Sequence, residues 1–391
     1  MSEPTIGVYV HVPFCDRVCP YCDFAVVGGG LSEEMERRYL DALLAELRLR
    51  ADAFSGRRLT SLYLGGGTPS LLHPDSVSSI AEAVRREFDD RGECVEFTLE
   101  MNPSTVERDR LPGFRAAGVN RVSIGVQSFD DAVLKRLGRA HVSGEARKTL
   151  AASREAGFEN VSLDLMFAAP GQALEQLQAD LEETAAFAPE HVSTYELVVE
   201  EGTPFALADR RGQLSRADSD LAADMVEAID TTLAGIGIER YEITNYARPG
   251  RESIHNRRYW ARDPVLGLGV GAWSSEPPGV GSPHGSRTRN ARNLAAYLEC
   301  IDRGAAATEE TEVHDVATAR GEAVFLALRC REGLSAERFR AGFGDSPRAF
   351  FAEAIERLGA DGLVVESDAG DLRLTERGRM LSDLVGQSFV C

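Results

Sequence analysis

Short runs rich in β-branched and aromatic residues recur along the first half of the chain, and stretches with helical spacing accompany them. The runs are IGVYVHV (6–12), LTSLYLG (59–65), VEFTLEM (95–101), RVSIGV (121–126), NVSLDLM (160–166) and HVSTYEL (191–197), with amphipathic stretches such as 33–54 and 220–237. Parallel neighbours need a crossover of about a dozen residues or more, usually a helix, so six such units predict an α/β fold with a parallel sheet. Periodicity alone leaves open whether that sheet is flat or curved into a barrel. The Gly65–Thr68 loop, Glu100, Gln127 and Glu196 fall at the carboxyl ends of their strands, and Asp164 lies inside its strand. That is the end at which barrels and open α/β sheets build their sites.

The run YVHVPFCDRVCPYCDF places Cys15, Cys19 and Cys22 on one short loop after the first strand. Structural zinc takes four ligands, usually as two close pairs, and no second Cys or His pair follows. Seven cysteines is an odd number for a disulfide framework, and Cys94, Cys300, Cys330 and Cys391 are scattered, as small ordinary residues are. Three thiolates this close hold three corners of an iron–sulfur cube and leave its fourth iron without a protein ligand. An open metal position is where chemistry happens.

The chain has 391 residues, 43% hydrophobic and 27% charged, enough for more than one folded unit. Its formal net charge of −19 disfavours nucleic acid or an anionic membrane surface as a main partner. A local patch that contacts a membrane protein remains compatible with that total. No apolar stretch approaches the roughly 20 residues of a membrane span. MSEPTIG lacks the basic and apolar regions of a signal peptide, which, with clustered reduced cysteines, predicts a cytoplasmic location.

Residues 1–245 read as the repeating α/β domain. Residues 246–307, rich in Gly, Pro, Arg and aromatics, read as a linking extension, with 274–290 as a mobile or ligand-covering loop. Residues 308–391 end in two short β runs, a tight turn and a helix, a winged-helix-like pattern. That segment holds 10 Arg, no Lys and 16 acidic residues, 10 − 16 = −6, which points to a packing or docking role rather than DNA binding.

GGGTPS (65–70) follows a strand and precedes a helical pattern, but its spacing fits neither the dinucleotide nor the phosphate-loop fingerprint. Together with the cysteine triplet it resembles the radical S-adenosylmethionine (SAM) superfamily, whose members bind SAM at the open iron of a [4Fe–4S] cluster. GVQSF (125–129), EMNPST (100–105) and LGRAHVSGEA (137–146) look like the branch holding oxygen-independent coproporphyrinogen dehydrogenase and the HemW-type heme chaperones. The resemblance implies a partial (β/α)6 barrel with a winged-helix-like extension. It assigns the cluster to Cys15, Cys19 and Cys22, SAM contacts to Tyr9, Gly66, Gly67, Thr68 and Glu100, and the adenine to Tyr21. Gln127, Arg139 and Asp164 match positions that bind a second SAM in the dehydrogenase; an ion pair inside the barrel mouth is the plain alternative.

HNRRYW (255–260) matches the HNxxYW signature of the chaperones in every fixed position. The resemblance makes His255 the expected heme ligand, flanked by Asn256, Tyr259 and Trp260, within a 246–307 heme-binding extension. The dehydrogenases carry a fourth cysteine two residues after the third, where this chain has Phe24, and a longer N-terminal arm. Two departures from the family pattern are Trp273 in place of a histidine and AAPGQA (168–173) in place of an LPGQT-type run. The expected function is therefore a heme carrier; the dehydrogenase and another radical enzyme such as a methyltransferase are the alternatives. The family implies heme and recipient hemoproteins, respiratory-chain enzymes among them, as partners, and a homodimer.

Overall fold

The computed structural model describes residues 3–92, 95–279 and 281–390; Cys94 and Cys391 lie outside the described residues. Six strands, β1 (Thr5–Val12), β2 (Arg58–Gly66), β3 (Glu96–Met101), β4 (Arg121–Gln127), β5 (Val161–Phe167) and β6 (His191–Glu196), lie side by side in chain order, all parallel. Each agrees with a predicted run to within one or two residues. Helices cross between them, among them Glu33–Arg50, Pro74–Glu87 and Leu174–Phe187, and Ser219–Gly235 follows β6. Ser32 caps the first of these by accepting from Met35 N, with acidic residues in the first turn and arginines in the last, as the helix dipole favours.

Side chains alternate across the strands, and here the alternation is inverted. Val8, Val10, Leu62, Leu64, Phe97, Leu99, Val122, Ile124 and Leu163 are buried on the face covered by helices. Tyr9, His11, Tyr63, Glu100, Ser123 and Asp164 occupy the other face. Period-two patterning with the polar residues inward is the mark of a sheet whose inner face is a ligand site.

The sheet does not end at β6. It continues antiparallel through β8 (Asn245–Ala247) to β7 (Glu239–Arg240). At the other edge β9 (Val265–Leu268) pairs parallel with β1. Antiparallel β10 (Trp273–Glu276), β11 (Ser286–Asn290) and β12 (Thr308–Val313) follow. Among the described residues these two edges do not pair with each other, so the barrel is partial. The 246–307 stretch thus contributes strands to the same sheet, and the ends of the expected loop 274–290 form a hairpin. The cause is a long-range anchor. Arg50, buried at the end of the first helix, donates to Gly267 O (3.1 Å), Ser274 Oγ (3.0 Å), Glu276 Oε1 (3.1 Å) and Thr288 Oγ1 (3.0 Å). One guanidinium ties together β9, β10 and β11.

The C-terminal unit has its own core of Val324, Leu328, Leu334, Phe339, Ile355, Leu358 and Phe389. Helices Val316–Leu328, Ala336–Phe343 and Pro347–Ala360 precede the hairpin β13 (Val364–Glu366) and β14 (Leu372–Leu374), the winged-helix-like arrangement. No helix is long and apolar enough to cross a membrane among the described residues.

Candidate cluster site and the signature helix

The cysteine loop is held in place by the glycine loop after β2. Gly67 N donates to Val12 O (2.9 Å) and Thr68 N to Phe14 O (2.8 Å). A Cβ on Gly67 would sit 2.7 Å from Val12 O and 2.8 Å from Phe14 O, so only glycine permits this approach. Gly66 adopts φ +105°, and a Cβ there would strike the His11 ring. On the far side, Gly138 lies against Pro20, between Cys19 and Cys22.

Cys15, Cys19 and Cys22 are partly buried free thiols. Thr68 Oγ1 lies 3.6 Å from Cys15 Sγ and Arg139 Nη1 lies 3.5 Å from Cys19 Sγ, so two donors face the sulfurs. Burial pushes the Cys15 thiol up to about 11, the protonated form. Asn102 joins the two donors: its Nδ2 donates to Thr68 Oγ1 (2.8 Å) and its Oδ1 accepts from Arg139. Arg139 also donates to Gly125 O (3.2 Å), while its buried Nε has no hydrogen-bond partner among the described residues. Beside them opens a cavity of about 340 Å³ bordered by Cys19, Thr68, Asn102, Arg139 and His141. The donor set fits a cluster: sulfur ligands with N–H and O–H groups aimed at them, which tune such centres.

Deeper on the inner face, Glu100 accepts from the Tyr63 hydroxyl (2.7 Å) and from Gly66 N (3.0 Å). Burial, with Asp164 adding to it, raises its carboxyl to about 7. Asp164 accepts from Ser123 Oγ (3.0 Å), and burial raises it too. Arg139 and Asp164 do not form the internal ion pair that was the plain alternative: Arg139 spends its donors on Asn102, Gly125 and Cys19. Gln127, at the end of β4 with φ 65°, reaches back over Gly125 toward Asn102 and Arg139. Tyr21 packs near Phe205 (ring centroids 6.2 Å) and against Val133, Leu137 and Met166. His11 donates from Nε2 to Ala25 O and accepts from the Tyr9 hydroxyl, both at 3.0 Å, linking β1 to the cysteine loop. Burial lowers its pKa to about 4.

The signature string lies at the opposite, amino end of the strands, on helix Ile254–Trp260. Glu96, the first residue of β3, accepts Ile254 N and His255 N (both 3.0 Å), so a buried carboxylate meets the positive end of the helix. His255 is 1% exposed. Its Nδ1 lies 2.9 Å from Ser61 Oγ and its Nε2 3.1 Å from the Tyr259 hydroxyl, so neither ring nitrogen is free. Its ring sits 5.1 Å from that of Tyr63 and 6.2 Å from that of Tyr9 and forms the floor of the inner face. Burial, with Arg258 and Arg121 nearby, lowers its pKa to about 3 and keeps it neutral.

The rest of the string takes different directions, with Arg258 buried against Thr5, Thr60 and Pro264. Tyr259 borders a cavity of about 440 Å³ with Tyr9, Phe24 and Trp273. Trp260 stacks under the Arg329 guanidinium (4.6 Å), and its buried Nε1 has no acceptor among the described residues. Asn256 is half-buried beside Ser253, whose Oγ accepts its backbone N–H at 3.2 Å. The structure therefore gathers the cysteines, Tyr9, Tyr21, Gly66, Gly67, Thr68, Glu100, Gln127 and Arg139 toward one end. It places Asp164 deeper and His255, Asn256, Tyr259 and Trp260 at the base. Sequence reasoning passed over Tyr63, Asn102 and Ser123 near the site, and Glu96, Arg121 and Arg258 at the base. Polar residues at inward strand positions were the available signal.

The pattern of the Radical SAM superfamily matches residues 9–184, and that of the HemN C-terminal domain matches 317–381. The chain is 33% identical over 387 residues to the heme chaperone HemW of Bacillus subtilis (strain 168), covering 98% of this chain and 99% of that one. It is 34% identical over 398 residues to the heme chaperone HemW of Mycobacterium tuberculosis (strain H37Rv), covering 100% and 96%. The solved structure of Escherichia coli coproporphyrinogen III oxidase (HemN), a radical SAM enzyme, superposes with a TM-score of 0.83 at 26% identity, covering 99% of this chain and 90% of that one. Three cysteines on one loop, a polar inner face and near full-length likeness to these proteins agree: the chain belongs to the HemW family of the radical SAM superfamily.

Proposed function

We propose that this protein is a heme chaperone, which binds heme and passes it to hemoproteins. The observation that carries the reading is the near full-length likeness to HemW proteins. Phe24 adds to it: an exposed phenylalanine stands where the dehydrogenases of this branch carry a fourth cysteine. Cys15, Cys19 and Cys22 would hold a [4Fe–4S] cluster, and Tyr9, Gly66, Gly67, Thr68, Glu100 and Tyr21 would hold SAM beside it. When bound, that pair supplies reductive cleavage of a sulfonium. The chain's own part is to orient and to exclude water. Ionised Glu100 accepts an ammonium group, and the unpartnered Nε of Arg139 offers a donor to a carboxylate. Gln127, Arg139 and Asp164 belong to the same reading as contacts for a second SAM.

Tyr259 and Trp260 present their rings to the cavities around the signature helix, and His255 reaches iron only once Tyr259 leaves its Nε2. Transfer to respiratory-chain hemoproteins, a homodimer, peripheral contact with a membrane protein and a cytoplasmic location complete the proposal. The test is an anaerobic assay of the reconstituted protein, with hemin titration and coproporphyrinogen turnover measured on the same sample. Saturable heme binding without formation of protoporphyrinogen is expected. Turnover of coproporphyrinogen would overturn the carrier reading in favour of the dehydrogenase.

A further inference from the structure

The signature helix packs beside a cleft that its histidine does not reach. We infer that heme sits between that helix, the β10–β11 hairpin and the C-terminal unit, and that His284 ligates its iron; the inference rests on the heme-chaperone reading above.

The histidines separate by what their rings already do. His11, His191 and His255 have both ring nitrogens hydrogen-bonded. His141 donates to Val126 O (3.0 Å), and His314 Nδ1 lies against Arg262 (3.2 Å) and Glu322 (3.5 Å). His73 is exposed at a helix start, where its Nδ1 accepts from Asp75 N. The His284 ring, half-buried, makes no hydrogen bond or ion pair among the described residues. It borders two adjoining cavities, of about 650 and about 510 Å³, that share Trp260, Arg262 and Pro278 as a common wall. Either is in the usual range for a cofactor site, ~300–1,000 Å³.

The lining has the chemistry of a porphyrin dicarboxylate. Trp260, Phe339, Phe343 and Leu334 form an apolar wall, with the Phe343 ring 6.4 Å from that of His284. Arg257, Arg338 and Arg373 line the larger cavity, in a chain whose net charge is −19. Of the larger cavity's two carboxylates, Asp371 accepts Ala336 N (2.8 Å) and Glu332 faces Arg257 (3.7 Å). The smaller cavity is also lined by Glu276, which accepts from Arg50, by Glu322, which pairs with Arg262 and Arg287, and by Glu312. The Arg338 guanidinium has no hydrogen bond or ion pair among the described residues, so it is available to a propionate. A ring nitrogen of His284 donates its lone pair to iron in place of water, and no electron is transferred. Two strings the sequence kept apart, HNRRYW and the hairpin turn, thereby serve one ligand.

The experiment uses the full chain, titrated with hemin and followed by its Soret band and by EPR of the ferric heme. His284→Ala is expected to weaken binding at least tenfold and to lose the imidazole-ligand signature, which added imidazole restores. Arg338→Glu is expected to weaken hemin binding while leaving the affinity for hemin dimethyl ester, which has no free propionate, in place. If wild type binds hemin and both variants match it in affinity and spectrum, the cleft assignment falls and the chaperone reading stands. The assignment also falls if His255→Ala loses the ligand signature while His284→Ala keeps it. If wild type binds no hemin, the chaperone reading fails and this inference with it.

Discussion

Replacing Glu100 by Gln removes a carboxyl that the fold holds against its preference. Its ordinary value of 4.5 rises to about 7, chiefly through burial. At about 1.4 kcal/mol per tenfold change in proton affinity, that difference is worth about 3 kcal/mol. Between those two values the folded chain keeps a proton that the unfolded chain has released. Stability therefore falls as pH rises through the window: the penalty is absent below the unfolded value and complete above the folded one. About 2 kcal/mol of it accrues between roughly pH 5.5 and pH 8. Gln keeps one oxygen acceptor, enough for Tyr63 or Gly66 N but not both, because the two donate to different oxygens of the carboxylate, and it has no charge to bury. Urea unfolding of the metal-free chain under reducing conditions, at several pH values, is the assay. The wild-type curve should lose stability relative to Glu100→Gln as pH rises, by about that amount. Parallel pH profiles for the two proteins would refute the reasoning. In the proposed SAM site the same carboxylate accepts the amine in its ionised form, so on that reading SAM affinity should weaken below about pH 7 in wild type.

Four further outcomes are expected. Gly67→Ala forces a Cβ into backbone oxygens 2.7 and 2.8 Å away, which should displace the cysteine loop, cost about 1–3 kcal/mol and lower iron content after reconstitution. Gly144→Ala, helical and with nothing within 4 Å, should keep its iron and gain up to about 1 kcal/mol. Arg50→Met strips the anchor of the β9–β11 edge and leaves buried Glu46 without its cation, at about 3–5 kcal/mol, read as faster hydrogen exchange in residues 265–290. His255→Ala leaves Ser61 and Tyr259 unpaired around a cavity, a loss of about 2–4 kcal/mol in thermal or urea unfolding; an unchanged midpoint would contradict its place as the floor of the sheet.

What was legible in the chain was local. The six parallel strands declare themselves through short β-rich runs such as VSIGV, and the cysteine loop through spacing that few other structures require. The added strands were illegible because β9 to β12 are short, polar or glycine-rich, and β9, β10 and β11 are tied together by Arg50, a residue more than two hundred positions away. His255 shows the same limit from the other side. The string around it was readable, yet the bonds that occupy its ring come from Ser61 on β2 and from Tyr259 one helical turn on. His284, with nothing in its sequence neighbourhood to mark it, stands out only once the hairpin and the C-terminal unit are set beside Trp260.

The most direct test of the account is low-temperature EPR and Mössbauer spectroscopy of the anaerobically reconstituted, reduced protein, before and after adding SAM. A cubane cluster whose EPR signal shifts on SAM addition is the result expected of a metal centre with one iron left open by Cys15, Cys19 and Cys22. Zinc at the site, no cubane, or a cubane indifferent to SAM would contradict it.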